Sequence, residues 1–341
     1  KTFGVGNSEG YWVEETKDKG FVLCGTTDSA GWHKFYLVKT DSLGEVLWQR
    51  TYFSSDMDRA NCVKETRDGG YIIAGYTFPS NVGVYIIKTD SIGNILTQKT
   101  FYTNSESREI REVISTDYGY LAIGDLIKNN QSDIYLMKFD ENLDTVWTRT
   151  FGGPLNDLGY SIDTINVSEY ILGGTSESYS LNGRYQSIIY KINSEGAVSW
   201  QRTYSGFGNE LCKTVRAIHN VGYVISGSSD SSNDNIFRAK LRLLDLYGNL
   251  TFENSFLPGT VGAGFESTEL TSDRGFFSTG YVILNGAFEK MFIVKTDSLF
   301  AAQPISIINT SQITPKEIKL HQNYPNPFNP VTIIKFKVSG V

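Results

Sequence analysis

The chain repeats itself. An aromatic–apolar–x–x–Gly motif occurs six times, as Phe21-Val-Leu-Cys-Gly25, Tyr71-Ile-Ile-Ala-Gly75, Tyr120-Leu-Ala-Ile-Gly124, Tyr170-Ile-Leu-Gly-Gly174, Tyr223-Val-Ile-Ser-Gly227 and Phe276-Phe-Ser-Thr-Gly280. The closing glycines stand 50, 49, 50, 53 and 53 residues apart. A second element follows each copy: Lys39-Thr-Asp-Ser-Leu-Gly44, Lys88-Thr-Asp-Ser-Ile-Gly93, Lys138-Phe-Asp140, Lys191-Ile-Asn193 and Lys295-Thr-Asp-Ser298, with Leu243-Leu-Asp245 in the fifth copy. A third closes several copies: Trp48-Gln-Arg-Thr-Tyr52, Trp147-Thr-Arg-Thr-Phe151 and Trp200-Gln-Arg-Thr-Tyr204. Such a period restricts the fold to like units that each bury a face on the next.

Each copy reads as four short strands. In the second, Ala60–Thr66 leads through the turn Asp68-Gly69-Gly70 to Tyr71–Thr77. The variable loop 78–83 then precedes Val84–Lys88, and Asp90-Ser-Ile-Gly-Asn94 opens Ile95–Tyr102. Asp-Gly and Gly-Asn steps supply the positive φ of tight hairpins. The middle strands are apolar on both faces, as for a sheet packed between two others. No window carries a helical period, which excludes solenoids of helix pairs. The expected fold is all-β, a β-propeller of six four-stranded blades over residues 1–304, with seven blades as the alternative and a parallel β-helix as runner-up. The repeats fall at about 1–50, 51–100, 101–150, 151–203, 204–252 and 253–304. The sixth copy lacks the Trp-x-Arg element, so closure is expected from Lys1-Thr-Phe-Gly4, which resembles Arg149-Thr-Phe-Gly152, or from Ile305–Ile308.

Composition narrows the function classes. A net charge of −6 provides no basic field, so neither nucleic acid nor anionic lipid is an expected partner. No apolar run approaches the roughly eighteen residues of a membrane span. Cys24, Cys62 and Cys212 lie in apolar strands without CxxC spacing and are expected as buried free thiols rather than a disulfide framework or a zinc site.

Five of the eight prolines fall in the last stretch of the chain. Residues 305–317 read as a linker. Beyond it, within 318–341, Gln322-Asn323-Tyr324-Pro325-Asn326-Pro327-Phe328-Asn329-Pro330 precedes an alternating strand, Val331–Val338. This stretch resembles the start of the type A sorting domain of the type IX secretion system of Bacteroidetes and related bacteria. The resemblance implies a small, here incomplete, β-sandwich, the secretion machinery as a partner, and a secreted or cell-surface location. The sequence is therefore expected to belong to a longer chain. The repeats resemble propeller repeats of secreted proteins of the same bacteria.

Hairpin geometry sorts the loops into two ends. Regular turns (Asp18-Lys-Gly20, Asp68-Gly-Gly70, Asp273-Arg-Gly275) share one end, and the divergent loops 28–34, 78–83, 127–133, 177–186, 230–235 and 283–290 share the other with the inter-blade loops. Binding residues gather on variable loops of rigid scaffolds. The candidates are Trp32, His33, Tyr179, Arg184, Tyr185, Asp230 and Asp234, facing an extracellular glycan or protein ligand. No HExxH, GxSxG, phosphate loop or dinucleotide fingerprint occurs, and no catalytic residue, metal or cofactor is expected. Asp230-Ser-Ser-Asn-Asp-Asn235 lacks the glycine and distal glutamate of a calcium loop. The expected role is non-catalytic binding, adhesion or scaffolding. The alternative is a polysaccharide hydrolase or lyase using a pair among Asp56, Asp58, Glu106, Asp157, Glu210 and Glu266, although solvated loop acids are the simpler reading. The recurring tryptophans are expected between blades, and the recurring lysines in solvated ion pairs.

Overall fold

Each repeat builds one antiparallel sheet. The second forms Asp58–Glu65, Tyr71–Thr77, Gly83–Thr89 and Ile95–Phe101, paired in chain order and within two residues of the bounds read from sequence. The computed structural model describes residues 2–298 except 5, 30–31, 56, 79–81, 104, 181–182, 231–235, 259–260 and 285–287, together with 317–320 and 336–339. Within these, the first five repeats form four-stranded sheets, and the sixth shows the three strands Gly262–Leu270, Phe276–Leu284 and Phe288–Thr296. The described residues contain no helix, and no helix is long and apolar enough to cross a membrane. The six sheets are the blades of a propeller.

The first strand of each blade is innermost: Ser8–Glu15, Asp58–Glu65, Ser107–Thr116, Asp157–Asn166, Glu210–Ile218 and Gly262–Leu270 lie successively side by side. Blade faces meet through apolar side chains. Val22, Cys24, Phe35 and Leu37 of the first blade close on Val63, Tyr71, Ile73 and Tyr85 of the second. Each such side chain, fully buried, contributes roughly 1.5–3 kcal/mol. The three cysteines are free and buried here, and burial pushes their thiols up, that of Cys212 to about 12.

The third sequence element is an inter-blade clasp. The Trp48 ring meets Tyr71 of the next blade edge-on at 5.7 Å, and Trp200 meets Tyr223 likewise at 5.8 Å. Arg50 and Arg202 lie over these rings at 5.7 Å. The pair leaves no room for a side chain on the next blade's turn: a Cβ on Gly93 would come within 2.9 Å of both Trp48 and Arg50. Gly93 also carries φ +81°, so the turn needs glycine twice over. Tyr52 completes the clasp, its hydroxyl donating to the Gly93 carbonyl at 2.7 Å.

The recurring lysines depart from the solvated pairs read from sequence. Lys39, Lys88 and Lys138 are buried. In four copies the partner is an acid at the facing hairpin turn rather than the adjacent aspartate: Lys39–Asp18 at 2.9 Å, Lys88–Asp68 at 3.3 Å, Lys191–Glu169 at 2.8 Å and Lys295–Asp273 at 2.8 Å, and Lys88 also meets Glu141 of the next blade at 2.9 Å. The third blade's turn carries Asp117, but that carboxylate pairs with Arg67 of the second blade, and Lys138 donates to the Thr116 hydroxyl instead. Burial without a contacting carboxylate lowers its ammonium to about 8. An unfolded lysine titrates near 10.4, so between the two values the unfolded chain holds the extra proton. Stability is therefore expected to rise as pH climbs from about 8 to about 10.4. Lys138→Met should remove that rise while Lys88→Met leaves it, as thermal midpoints across this range would show.

The chain divides into two compact units, Lys1–Ile305 and Ser306–Val341. In the second, Glu317–Leu320 pairs antiparallel with Phe336–Ser339. The motif Gln322–Pro330 and the closure candidate Ile305–Ile308 lie outside the described residues. Thr2–Gly4 takes no strand conformation, so it does not supply a fourth strand to the sixth blade.

Candidate functional site

Every innermost strand is bulged at the same place. Pairing with the second strand slips between Gly10 and Trp12, Ala60 and Cys62, Ile110 and Glu112, Gly159 and Ser161, Cys212 and Thr214, and Phe265 and Ser267. The cause is the glycine that closes the repeat motif. A Cβ on Gly25, Gly75, Gly124, Gly227 or Gly280 would stand 1.9 Å from a carbonyl oxygen of the first strand, and one on Gly174 at 2.3 Å. Only glycine admits this backbone approach. Bulges re-aim side chains and recur beside functional sites. The six residues left without a strand partner are Tyr11, Asn61, Arg111, Tyr160, Lys213 and Glu266, a ring around the propeller axis toward the variable-loop end.

Inter-blade links knit this ring. The Arg59 guanidinium lies 3.7 Å from the Tyr11 ring centroid. Burial, with Glu9 accepting from the hydroxyl, pushes the Tyr11 phenol up to about 12. Tyr160 is flanked by Arg111 at 4.7 Å and Lys213 at 4.1 Å, geometries in which the ring face attracts the cation. Lys213 Nζ stands 3.8 Å from Glu266, and Asn61 Nδ2 donates to the Ile110 carbonyl at 2.7 Å. Arg111 binds Asp125 at 2.6 Å and Glu109 at 2.5 Å. Burial works against its charge, and these carboxylates outweigh it.

Further along the same strands a network of buried ion pairs and hydrogen bonds links the inner strands. Arg216 bridges to Glu112, two blades away, at 3.0 Å and to Glu269 at 2.7 Å, and donates to the Ser161 hydroxyl at 2.8 Å. Glu112 also accepts from Ser161 Oγ at 2.8 Å and Ile162 N at 3.0 Å. Lys64 and Glu14 pair at 2.7 Å. This layer forms a floor beneath the bulge ring.

The two loop sets do meet at one end. Val82, in a variable loop, accepts from Arg108 at the start of the next blade, and Tyr185 from Glu210, each at 2.8–2.9 Å. His33 lines a cavity of about 150 Å³ with Asn7, Glu9, Tyr11, Arg59 and Tyr76, which joins it to the ring. Tyr185 is half-buried, its phenol raised by burial and by Glu177. Trp32 and Arg184 are exposed, and the Tyr179 hydroxyl donates to the Gly152 carbonyl at 3.1 Å. Asp230 is buried and holds Asn209, whose Nδ2 donates to it at 3.1 Å. Asp234 lies outside the described residues.

The loop acids are not all solvated. Asp58, Asp157 and Glu210 are buried at the starts of their strands. Asp58 accepts from Ser54 N at 2.5 Å, and Asp157 from Gly153 N at 2.8 Å and Ser178 Oγ at 2.6 Å. Glu210 pairs with Lys240 at 3.4 Å and with Arg242. The Asp58 and Asp157 carboxylates hold inter-blade loops in place because the curled loop amides would otherwise lack acceptors, whereas Glu210 is neutralised within its own blade. Glu106 is half-buried against Arg108 and Lys128, Glu266 is exposed, and Asp56 lies outside the described residues. Asp133 and Asp157 are close, since oxygens of both stand within 2.6 Å of where a Gly152 Cβ would sit. Burial, then Asp157, raises the Asp133 carboxyl. Asp157 is committed to its loop, so the pair lacks a free base. Among the described residues, no three His, Cys, Asp or Glu side chains gather to hold a metal.

Sequence reasoning missed the bulge residues. Each stands 14 residues before its motif glycine, 13 in the third copy, but six different environments are filled by five residue types and no pattern marks them.

No family model matches the chain, and no curated protein matches it. Among solved structures, the periplasmic gluconolactonase PpgL of Pseudomonas aeruginosa is similar over 85% of this chain and 81% of its own, with TM-score 0.52 and 11% identity. The apocarotenoid oxygenase of Synechocystis is similar over 85% and 69%, with TM-score 0.49 and 10% identity. Sqt1 of Chaetomium thermophilum is similar over 86% and 69%, with TM-score 0.47 and 12% identity. At 11% identity the first likeness extends to the propeller fold alone.

Proposed function

We propose that the protein is a secreted, non-catalytic binding propeller that presents its bulge ring to an extracellular glycan. The observation that carries this reading is the six-fold bulge, which leaves one residue per blade out of the strand pairing at the variable-loop end, above a layer of buried ion pairs. The ring mixes donors and acceptors: Arg59, Arg111 and Lys213 stand among Glu9, Glu109 and Glu266. No single charge dominates, which suits a neutral, hydroxyl-rich ligand better than a polyanion.

A glycan array probed with the intact protein tests this. A binding glycan should lose about tenfold or more in affinity with Tyr160→Ala or Lys213→Ala, while Trp32→Ala changes it little. Bulge variants that bind as the parent does, or an array without any hit, would overturn the reading. Export by the type IX machinery is supported by the resemblance of Gln322–Pro330 to a sorting domain. In the protein's own bacterium, Tyr324→Ala with Phe328→Ala should retain it inside the cell. Unchanged appearance at the surface or in the medium would refute that route.

A further inference from the structure

We propose that the seam between the sixth and first blades is the seat of a seventh sheet of the same repeat, with Thr2–Gly4 as the end of its outermost strand. At the other five seams the innermost strands pack side by side, whereas among the described residues Gly262–Leu270 makes no comparable contact with Ser8–Glu15. The side chains that should fill the seam are in solvent. Phe277 is 39% exposed, while its counterparts Val22, Ile72, Leu121, Ile171 and Val224 are buried. Met291 is 71% exposed against buried Phe35, Val84, Ile134, Ser187 and Ala239. On the opposite wall Val13 is 58% exposed against buried Val63, Val113, Ile162, Val215 and Thr268. A recess of about 530 Å³ opens beside Tyr281, Glu289 and Met291.

The seam presents two different apolar faces at once. One is the face that every blade turns to its successor, and the other is the face that every blade turns to its predecessor. An occupant must carry the complement of both, which is what a blade of this repeat is. Thr2-Phe3-Gly4 repeats Thr150-Phe151-Gly152, where Phe151 ends an outermost strand and packs on Tyr190 of the next blade at 5.2 Å. Gly4 lies against Ser8 as Gly152 lies against Asp157, and Ser8 and Asp157 hold the same register position at the start of their innermost strands. Thr2–Gly4 thus already sits on the first blade in the place of a preceding repeat's last residues.

Cysteine accessibility tests this in the 341-residue chain, whose native thiols are buried. Val13→Cys and Phe277→Cys, combined in one chain, should form no disulfide and should both react rapidly with iodoacetamide. Joining a copy of residues 102–149 directly ahead of Thr2 supplies a blade in register. In that protein both introduced thiols should react about tenfold or more slowly, and the thermal midpoint should rise. An intramolecular disulfide between the two introduced thiols of the 341-residue chain would mean that six blades close directly. An intermolecular one, with a dimer on gel filtration, would mean that a second copy fills the seam. Either outcome, or unchanged reactivity in the extended chain, overturns the proposal.

Discussion

Gly124→Ala is expected to destabilise the protein by about 3–5 kcal/mol, and Gly10→Ala to leave it unchanged or more stable by about 0.5 kcal/mol. The contrast isolates the bulge. A Cβ at position 124 would stand 1.9 Å from the Glu109 carbonyl oxygen and 2.8 Å from its carbon. Neither atom belongs to a flexible side chain, so relief requires moving one strand off the other and breaking the ladder. Gly10 sits on a bulged strand of the same kind and has nothing within 4 Å of its would-be Cβ. Urea midpoints for the two variants make the comparison. A total stability of about 5–15 kcal/mol is usual for a domain, so the first substitution consumes a large part of it. Comparable midpoints for both variants would show that the glycine is not what imposes the bulge. The same change at Gly124 re-aims Arg111, so any surviving folded fraction should also lose the contact with Tyr160.

The second large effect is expected at the axial floor. Arg216→Met should cost about 3–5 kcal/mol, because Glu112 stays buried with its charge and loses its guanidinium partner. The double variant Glu112→Gln with Arg216→Met should recover at least half of that loss, since the orphaned charge is then gone. Glu269 is half-exposed and can turn to water, so Glu269→Gln should cost far less, within about 1 kcal/mol. Chemical unfolding of the two single variants and the double closes the cycle. Strictly additive losses would mean that Glu112 and Arg216 act independently, contrary to the geometry.

How far the fold was legible from sequence can be seen residue by residue. The aromatic, the glycine and the Trp-x-Arg element announce themselves because each does the same steric work in every copy where it occurs. Gly93 must be small beneath Trp48, and Gly75 must be small beneath the Arg59 carbonyl. The candidate site was legible only in part. His33 does reach the cavity beside Tyr11 and Arg59. The bulge residues could not be picked out, because the backbone dictates where those side chains point and leaves their type free. Asp58, Asp157 and Glu210 looked like solvated loop acids, because nothing local shows that a loop will curl back to donate to the first two, or that Lys240 and Arg242 of a later strand will meet the third. Lys88 and Lys138 share a motif yet titrate in opposite directions, the first raised and the second lowered, because Glu141 and Asp68 both contact the Lys88 ammonium, whereas Asp117 in the turn facing Lys138 is paired with Arg67.

Local rules were enough to define the unit: a sheet with two apolar faces, repeated six times and unable to bury either face alone. Strand alternation, turn glycines and the spacing between them act over a few residues, so they can be read along the chain. What meets at the axis is set at longer range. Glu112 and Arg216 are 104 residues apart, and only the angle between successive blades, accumulated over two of them, brings their charges together.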